Sequence, residues 1–450
     1  DIYTQHAKGE LLKHSQEMPR DAVSHTVRME QGSMLHRIVQ ADSLAVNSFH
    51  HQAVSETGSL LRPVAFSCDG IIEAVESTEF KPILGVQWHP EAFARRKDSS
   101  AMHALFEWIV SEAELYRRTK EAHDQLVTLD SHCDTPMFFS DDQNDINRMF
   151  ISRTNRVLVD LPKMTDGRLD ATIMVAYIPQ GERDAEGNRQ ATALAQKKLD
   201  QIAAMTKANE NLVRLAYTPN DLLQLKRQGL KAIMRGIENG YAIGHDLDLL
   251  DHFRKMGVVY MTLCHNGDND ICDSARGTAE HGGLSHFGQE VVERMNALGM
   301  MVDLSHAAES SFYDALEASA LPVVCSHSSA KALCSHPRNL TDEQMKALAR
   351  KGGVAQVTLY HGFLRAEGEA TILDALSHLH HMIEVMGIEH VGIGTDFDGD
   401  GGVCGLKDAS ELIGFTRELL RRRYTEQDLQ GIWGGNFLRV MQQVQDAAQR

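Results

Sequence analysis

From residue 125 onward short apolar runs alternate with helical segments, and this alternation constrains the fold more than any other feature of the chain. Eight runs qualify as strands: QLVTLD, ATIMVAYI, KAIMRGIE, VVYMTL, MMVDLS, PVVCSH, GVAQVTL and HVGIGTD. Stretches with helical spacing separate most of them, among them ALAQKKLDQIAAM, GQEVVERMNALG, DEQMKALARKG and LDALSHLHHMIEVMG. Strand and helix alternating in this way predict an α/β fold, a TIM-type (β/α)8 barrel with a parallel sheet inside a ring of helices. An open doubly wound sheet is the structural alternative.

The first hundred residues have another texture. Short alternating or β-branched runs (AVSHTVRM, RIVQ, IIEAVES, ILGVQWHP) sit between turn residues and read as strands. A helix over 99–123 closes this region, with Leu105, Trp108, Ile109 and Leu115 at helical spacing. At 450 residues two or three domains are expected. The boundary is placed near Lys120, giving domains 1–120 and 121–450.

Charge narrows the function classes. With 45 Lys+Arg against 62 Asp+Glu the net charge is −17, which disfavours nucleic acid or an anionic membrane as partner. No run of 18 apolar residues exists to span a membrane. The seven cysteines form no C-x-x-C pair, so reduced thiols in a reducing compartment are expected. No signal peptide is visible, and a cytoplasmic location is the expectation. The sequence leaves a homodimer open.

Barrels of this type carry their chemistry at the C-terminal ends of the strands. Those ends hold His132 and Asp134 after the first run, Glu238 on the third, His265 after the fourth, His306 on the fifth, His327 on the sixth and Asp396 on the eighth. One histidine at a strand end is commonly a hydrogen-bonded structural residue; seven polar or ionisable residues at one end of six strands are a constellation. His132 and Asp134, two apart, share one side of the pleat and can reach one metal ion. His306 and His327, from neighbouring strands, could chelate a second, and Glu238 has two oxygens to bridge both. Nitrogen and oxygen donors without thiolate suit two zinc ions, with manganese or cobalt as alternatives. Two such ions roughly 3.5–4 Å apart would activate a water and polarise a carbonyl. Cys133 lies between two of these residues and should face the other way, as a structural residue. Asp398 and Asp400 in DFDGDGG lack the distal glutamate of a calcium loop and read as a glycine-rich loop beside the site.

In order and spacing, SHCD, GIENG, TLCHN, VDLSH, SHSSA, PRN and GIGTDFDG resemble the membrane (renal) dipeptidase family, peptidase family M19, over nearly all of residues 125–450. The resemblance implies a zinc metallodipeptidase acting on dipeptides. It implies that His132 and Asp134 bind one zinc, Glu238 bridges, and His306 and His327 bind the second. By the same resemblance His265 contacts the substrate and stabilises the tetrahedral intermediate, Arg338 binds the substrate carboxylate, and Asp396 assists proton transfer. The membrane anchor of animal members is not visible.

VNSFHHQAV, FSCDGIIEAVE and VQWHPEAF resemble the C-terminal half of class I glutamine amidotransferase domains, of the γ-glutamyl-γ-aminobutyrate hydrolase type, peptidase family C26. A partial α/β domain of that kind is therefore expected before the barrel. The family's catalytic His and Glu match His89 and Glu91, while no nucleophile elbow with a cysteine precedes them, and Cys68 lies too late. The site is expected to be incomplete or vestigial. The alternative function is a γ-glutamyl amide hydrolase or glutamine amidotransferase activity of a longer protein, and the fusion suggests a shared catabolic route for γ-glutamyl or small peptides.

Overall fold

A computed structural model describes residues 1–5 and 10–448. The chain divides into two compact units, Asp1–Arg118 and Thr119–Arg450.

In the first unit five strands form one antiparallel sheet, β1 His25–Met29, β2 Ser43–Val46, β3 Leu61–Ser67, β4 Ile72–Ser77 and β5 Leu84–Val86, in the order β2-β1-β3-β4-β5. Period-two alternation does what it should in β1: His25, Val27 and Met29 are buried while Thr26 and Arg28 face outward. Val27 and Met29 pack with Leu35, Val46, Val64, Trp88 and Phe93 in one core. The run RIVQ is not a strand. It closes a helix, Met34–Val39, which starts where the Ser33 hydroxyl accepts the His36 N–H at 3.0 Å and stops at Gln40 in the left-handed region. A local cap thus overrides the β-branched pair Ile38 and Val39. The long helix spans Ser100–Gln125; Leu105 is buried in the core, whereas Ile109, expected on the same face, is 58% exposed.

The second unit is a nearly closed parallel barrel. Its strands are β6 Leu129–Cys133, β7 Ala171–Tyr177, β8 Val213–Leu215, β9 Lys231–Glu238, β10 Val258–Thr262, β11 Met301–Asp303, β12 Val324–Cys325, β13 Val354–Val357 and β14 Val391–Ile393. All eight expected runs contribute a strand, the first of them shifted toward its C-terminal end, in the order β14-β13-β12-β11-β10-β9-β7-β6. The short β8, not anticipated, adds to β9 off this path. A parallel bridge between Cys133 and Phe397 brings β14 beside β6. Residues on both faces of β6, β10 and β11 are buried, as a strand between barrel interior and helices requires. Leu129, Ile173, Met234, Met301 and Val354 share a core with Phe437, Val440 and Val444 of the helix Asn436–Ala448. Each such buried side chain is worth about 1.5–3 kcal/mol. No helix among the described residues is long and apolar enough to cross a membrane.

Candidate metal centre

Barrel geometry gathers the polar strand ends. His132 stands inside β6 with Asp134 just beyond it, and Glu238 is the last residue of β9. His265, His306, His327 and Asp396 lie two or three residues past β10, β11, β12 and β14. His306 and Asp396 have φ of 71° and 59°, left-handed values that non-glycine residues adopt at a cost of about 1–3 kcal/mol and that cluster at functional sites. Asp396 N–H donates to His132 O at 3.1 Å and Asp134 N–H to Phe397 O at 2.8 Å, so the first and last strands hold the two aspartates side by side. A Cβ on Gly399 would collide with Asp134 Oδ2 and Asp396 Oδ1, and only glycine lets the loop pass over them.

The tautomers follow from the partners. The Tyr260 hydroxyl donates to Ser131 O at 3.0 Å and therefore accepts from His132 Nδ1–H at 2.7 Å. Ser326 Oγ donates to Asp303 at 2.6 Å and accepts from His327 Nδ1–H at 2.8 Å. His306 Nδ1–H donates to the Asn266 side-chain oxygen at 3.2 Å. Each of the three rings thus turns a bare Nε2 lone pair inward.

Those lone pairs meet each other and carboxylates. His306 Nε2 and His327 Nε2 are 3.0 Å apart. Glu238 Oε1 lies 3.0 Å from His306 Nε2, 3.5 Å from His327 Nε2 and 3.7 Å from His132 Nε2. His132 Nε2 is also 3.5 Å from Asp134 Oδ2 and 4.0 Å from Asp396 Oδ1. His132 Nε2 and Asp134 Oδ1 are buried without a hydrogen-bond partner. Lone pairs aimed at lone pairs in a buried site repel unless a cation lies between them, and the donor set fits divalent metal. Among the described residues of the barrel, three groupings have ligand atoms within 4.8 Å of one another: His132, Asp134 and Asp396; His132, Glu238 and His327; Glu238, His265 and His306.

Burial, then the neighbouring Asp134, pushes the Glu238 and Asp396 carboxyls well above the usual range. Burial and the Arg338 charge bring His265 down to about 4 and hold His306 well below its ordinary value; burial and His132 do the same to His327.

Above these groups opens a cleft of about 290 Å³, lined by Tyr177, His265, Arg276, Arg338 and Tyr360 among others, with Asp398 and Asp400 on its rim loop. The Arg338 guanidinium is buried, lies 5.3 Å over the Phe363 ring, donates to His327 O at 3.4 Å and keeps Nε without a partner. The His265 ring packs edge-on against Tyr177 at 4.7 Å. Cys133 does not join the cluster. Its thiol, pushed up by burial, contacts Thr135 and Thr172.

The membrane dipeptidase (peptidase family M19) profile matches residues 116–450. The chain belongs to that family. Dipeptidase 3 of Rattus norvegicus is 34% identical over 329 residues, 72% of this chain and 66% of the rat protein, so the chain spans just under two thirds of that relative's length. Dipeptidase verJ of Clonostachys rogersoniana is 31% identical over 336 residues, covering 72% of this chain and 85% of that protein. The crystal structure of the probable dipeptidase PvdM from Pseudomonas aeruginosa superposes with a TM-score of 0.70 at 27% identity, over 75% of this chain and all of that one. Residues 1–91 match the peptidase C26 family.

Sequence reasoning on this M19 chain missed the groups that orient the ligands. Tyr260, Asn266, Asp303 and Ser326 were on view as polar residues inside or beside the motifs VVYMTL, TLCHN, VDLSH and SHSSA. Asp303 accepts from Thr262, Ser326 and the Ser305 and Ser326 N–H groups, a buried hub under His327. In the C26-like unit His89 Nδ1 and Glu91 Oε1 are 2.7 Å apart and exposed. Cys68 lines a groove with Thr26, Arg28, Glu30 and Phe66, which includes neither His89 nor Glu91.

Proposed function

We propose that this chain is a dipeptidase whose barrel holds two divalent ions of the zinc class. His132 and Asp134 would hold one, His306 and His327 the other, with Glu238 between them. The observation that carries the reading is the convergence of three bare imidazole lone pairs on one buried glutamate oxygen, at 3.0, 3.5 and 3.7 Å. When bound, the ions supply Lewis acidity toward a water and a carbonyl oxygen.

The chain's own residues account for the rest. Arg338 lines the cleft with its Nε unpaired, and its guanidinium pairs with the free carboxylate at the C-terminal end of a dipeptide. A cleft of about 290 Å³ favours a substrate of two residues over a longer peptide. His265 stands on the cleft wall beside His306, where its ring can donate to the oxygen on which charge develops. Asp396 takes a proton from the attacking water as the C–O bond forms, and returns one to the nitrogen as the C–N bond breaks. The dipeptidases among the relatives support this substrate class. Metal analysis of purified chain together with a dipeptide hydrolysis assay tests the reading: close to two equivalents in the barrel, and activity lost on chelation and restored by zinc. Full activity in a metal-free preparation overturns it.

A further inference from the structure

A second histidine cluster lies in the first unit and shares no residue with the barrel site. Glu73 on β4 is buried, with His14, His25 and His50 around its carboxylate. Its Oε1 is 3.1 Å from His25 Nε2, 3.3 Å from His14 Nδ1 and 3.6 Å from His50 Nε2. The His14 ring centroid is 5.0 Å from that of His25 and 4.8 Å from that of His50.

The far sides of two rings decide what they turn inward. His14 Nε2 lies 2.9 Å from Asp69 Oδ2, which only accepts, so Nε2 carries the proton and Nδ1 is bare toward Glu73. His50 Nδ1 lies 3.0 Å from the Gln52 carbonyl, so its Nε2 is likewise bare toward Glu73. One ring backed by a carboxylate and another by a main-chain carbonyl is the arrangement that orients metal-binding imidazoles. His14 Nδ1, His50 Nε2 and Glu73 Oε2 are buried with no hydrogen-bond partner. The ligand atoms of His14, His50 and Glu73 all lie within 4.8 Å of one another. The backbone prepares the same convergence, since His50 N–H donates to His14 O at 2.9 Å and Ser15 bridges Phe49.

We infer that His14 Nδ1, His50 Nε2 and the Glu73 carboxylate bind one divalent cation of the zinc class, in a structural site separate from the barrel. Side-chain exposures of 0%, 9% and 0% for His14, His50 and Glu73, with His25 at 5% closing a further side, leave little room for substrate, the mark of a structural rather than catalytic centre. The ion ties the segments around residues 14 and 50 to the sheet at β4.

The test uses the full chain and zinc itself. Replacing His50→Gln removes a ligand at the edge of the cluster, and Glu73→Gln removes the central one. Each should lower bound zinc by one equivalent per chain while leaving dipeptide hydrolysis unchanged. Should Glu73→Gln fail to fold, His50→Gln alone decides. Hydrogen exchange supplies a local readout: stripping zinc from the unsubstituted chain should speed exchange in peptides covering residues 10–22 and 47–54 by roughly tenfold or more, and in His50→Gln it should change nothing there. Equal zinc content in the unsubstituted chain and His50→Gln, or exchange in those peptides indifferent to zinc, overturns the inference.

Discussion

The two buried histidine clusters are built from the same residue types and sit in opposite electrostatic states. In the barrel, Asp134, Glu238 and Asp396 crowd one another, while His132, His265, His306 and His327 crowd beside Arg338. Burial and like-charge neighbours together push Glu238 and Asp396 up and His306 and His327 down. In the first unit one glutamate faces three imidazoles. Burial alone would raise Glu73 and lower His14, but the imidazoles around the carboxylate hold Glu73 far below the carboxylate range, and Glu73 with Asp69 raises His14. Composition is therefore less decisive than the ratio of acids to imidazoles and the presence of a fixed cation.

Glu238→Gln is the most forceful way to break this contrast, because Oε1 is the atom shared by three imidazoles in the barrel. The proposed function predicts loss of the barrel ions and a fall in kcat/KM of roughly 10⁴-fold or more, several kcal/mol of lost charge stabilisation. Exchange at residues 10–22 should stay as it was; if it rises as well, the two clusters are not independent. Asp396→Asn asks a narrower question, since it is nearly isosteric and removes basicity alone. Retained metal, near-normal KM and a kcat lower by roughly 10²–10⁴-fold are expected. Metal loss would make Asp396 a ligand, and unchanged turnover would remove it from proton transfer.

His123 sharpens the comparison because its two ring nitrogens are bonded to a carbonyl and a hydroxyl and to no carboxylate. His123 is buried, its Nδ1–H donates to Arg168 O at 3.2 Å, its Nε2 is 2.6 Å from the Thr416 hydroxyl, and Trp433 lies edge-on at 5.6 Å. Burial lowers its pKa to about 4. The unfolded chain, with an ordinary value near 6.5, binds the proton first as pH falls, so this group's contribution is complete above about 6.5 and declines from there toward 4. The loss should approach about 3 kcal/mol at pH 4. Denaturant unfolding at a series of pH values should show that slope, flattened in His123→Gln; an identical slope in both would assign the acid sensitivity elsewhere.

Arg338→Lys is expected to have the smallest effect of the four. It keeps the charge and removes the planar fork, so KM for free dipeptides should rise roughly 10–100-fold while C-terminally amidated substrates change little. Equal changes for both would take Arg338 out of carboxylate binding.

Much of the fold was legible because the signal is local. Eight apolar runs bounded by helical spacing mark eight strands, whatever surrounds them. The misreadings were local as well. RIVQ looked like a strand until Ser33 capped it into a helix, and Val213–Leu215 was too short to register as a run. At the candidate site, the histidines and carboxylates stood out by type and position. Tyr260 did not, since a tyrosine in VVYMTL looks like one more core side chain until its hydroxyl meets His132.

Residue order alone determined the alternation that makes a barrel and the placing of His132, Asp134, Glu238, His306, His327 and Asp396 at one end of it. Side-chain period and strand polarity are properties of the backbone, and they act over a few residues. Tertiary structure decided what those residues face. The Cys133–Phe397 bridge joins positions far apart in the chain, and only through it does Asp396 come to stand beside Asp134. In the first unit Glu73 collects imidazoles from residues 14, 25 and 50, on three separate segments. Lone-pair direction depends on which atom sits behind each ring, and that atom is supplied by another part of the chain, so no window of sequence contains it.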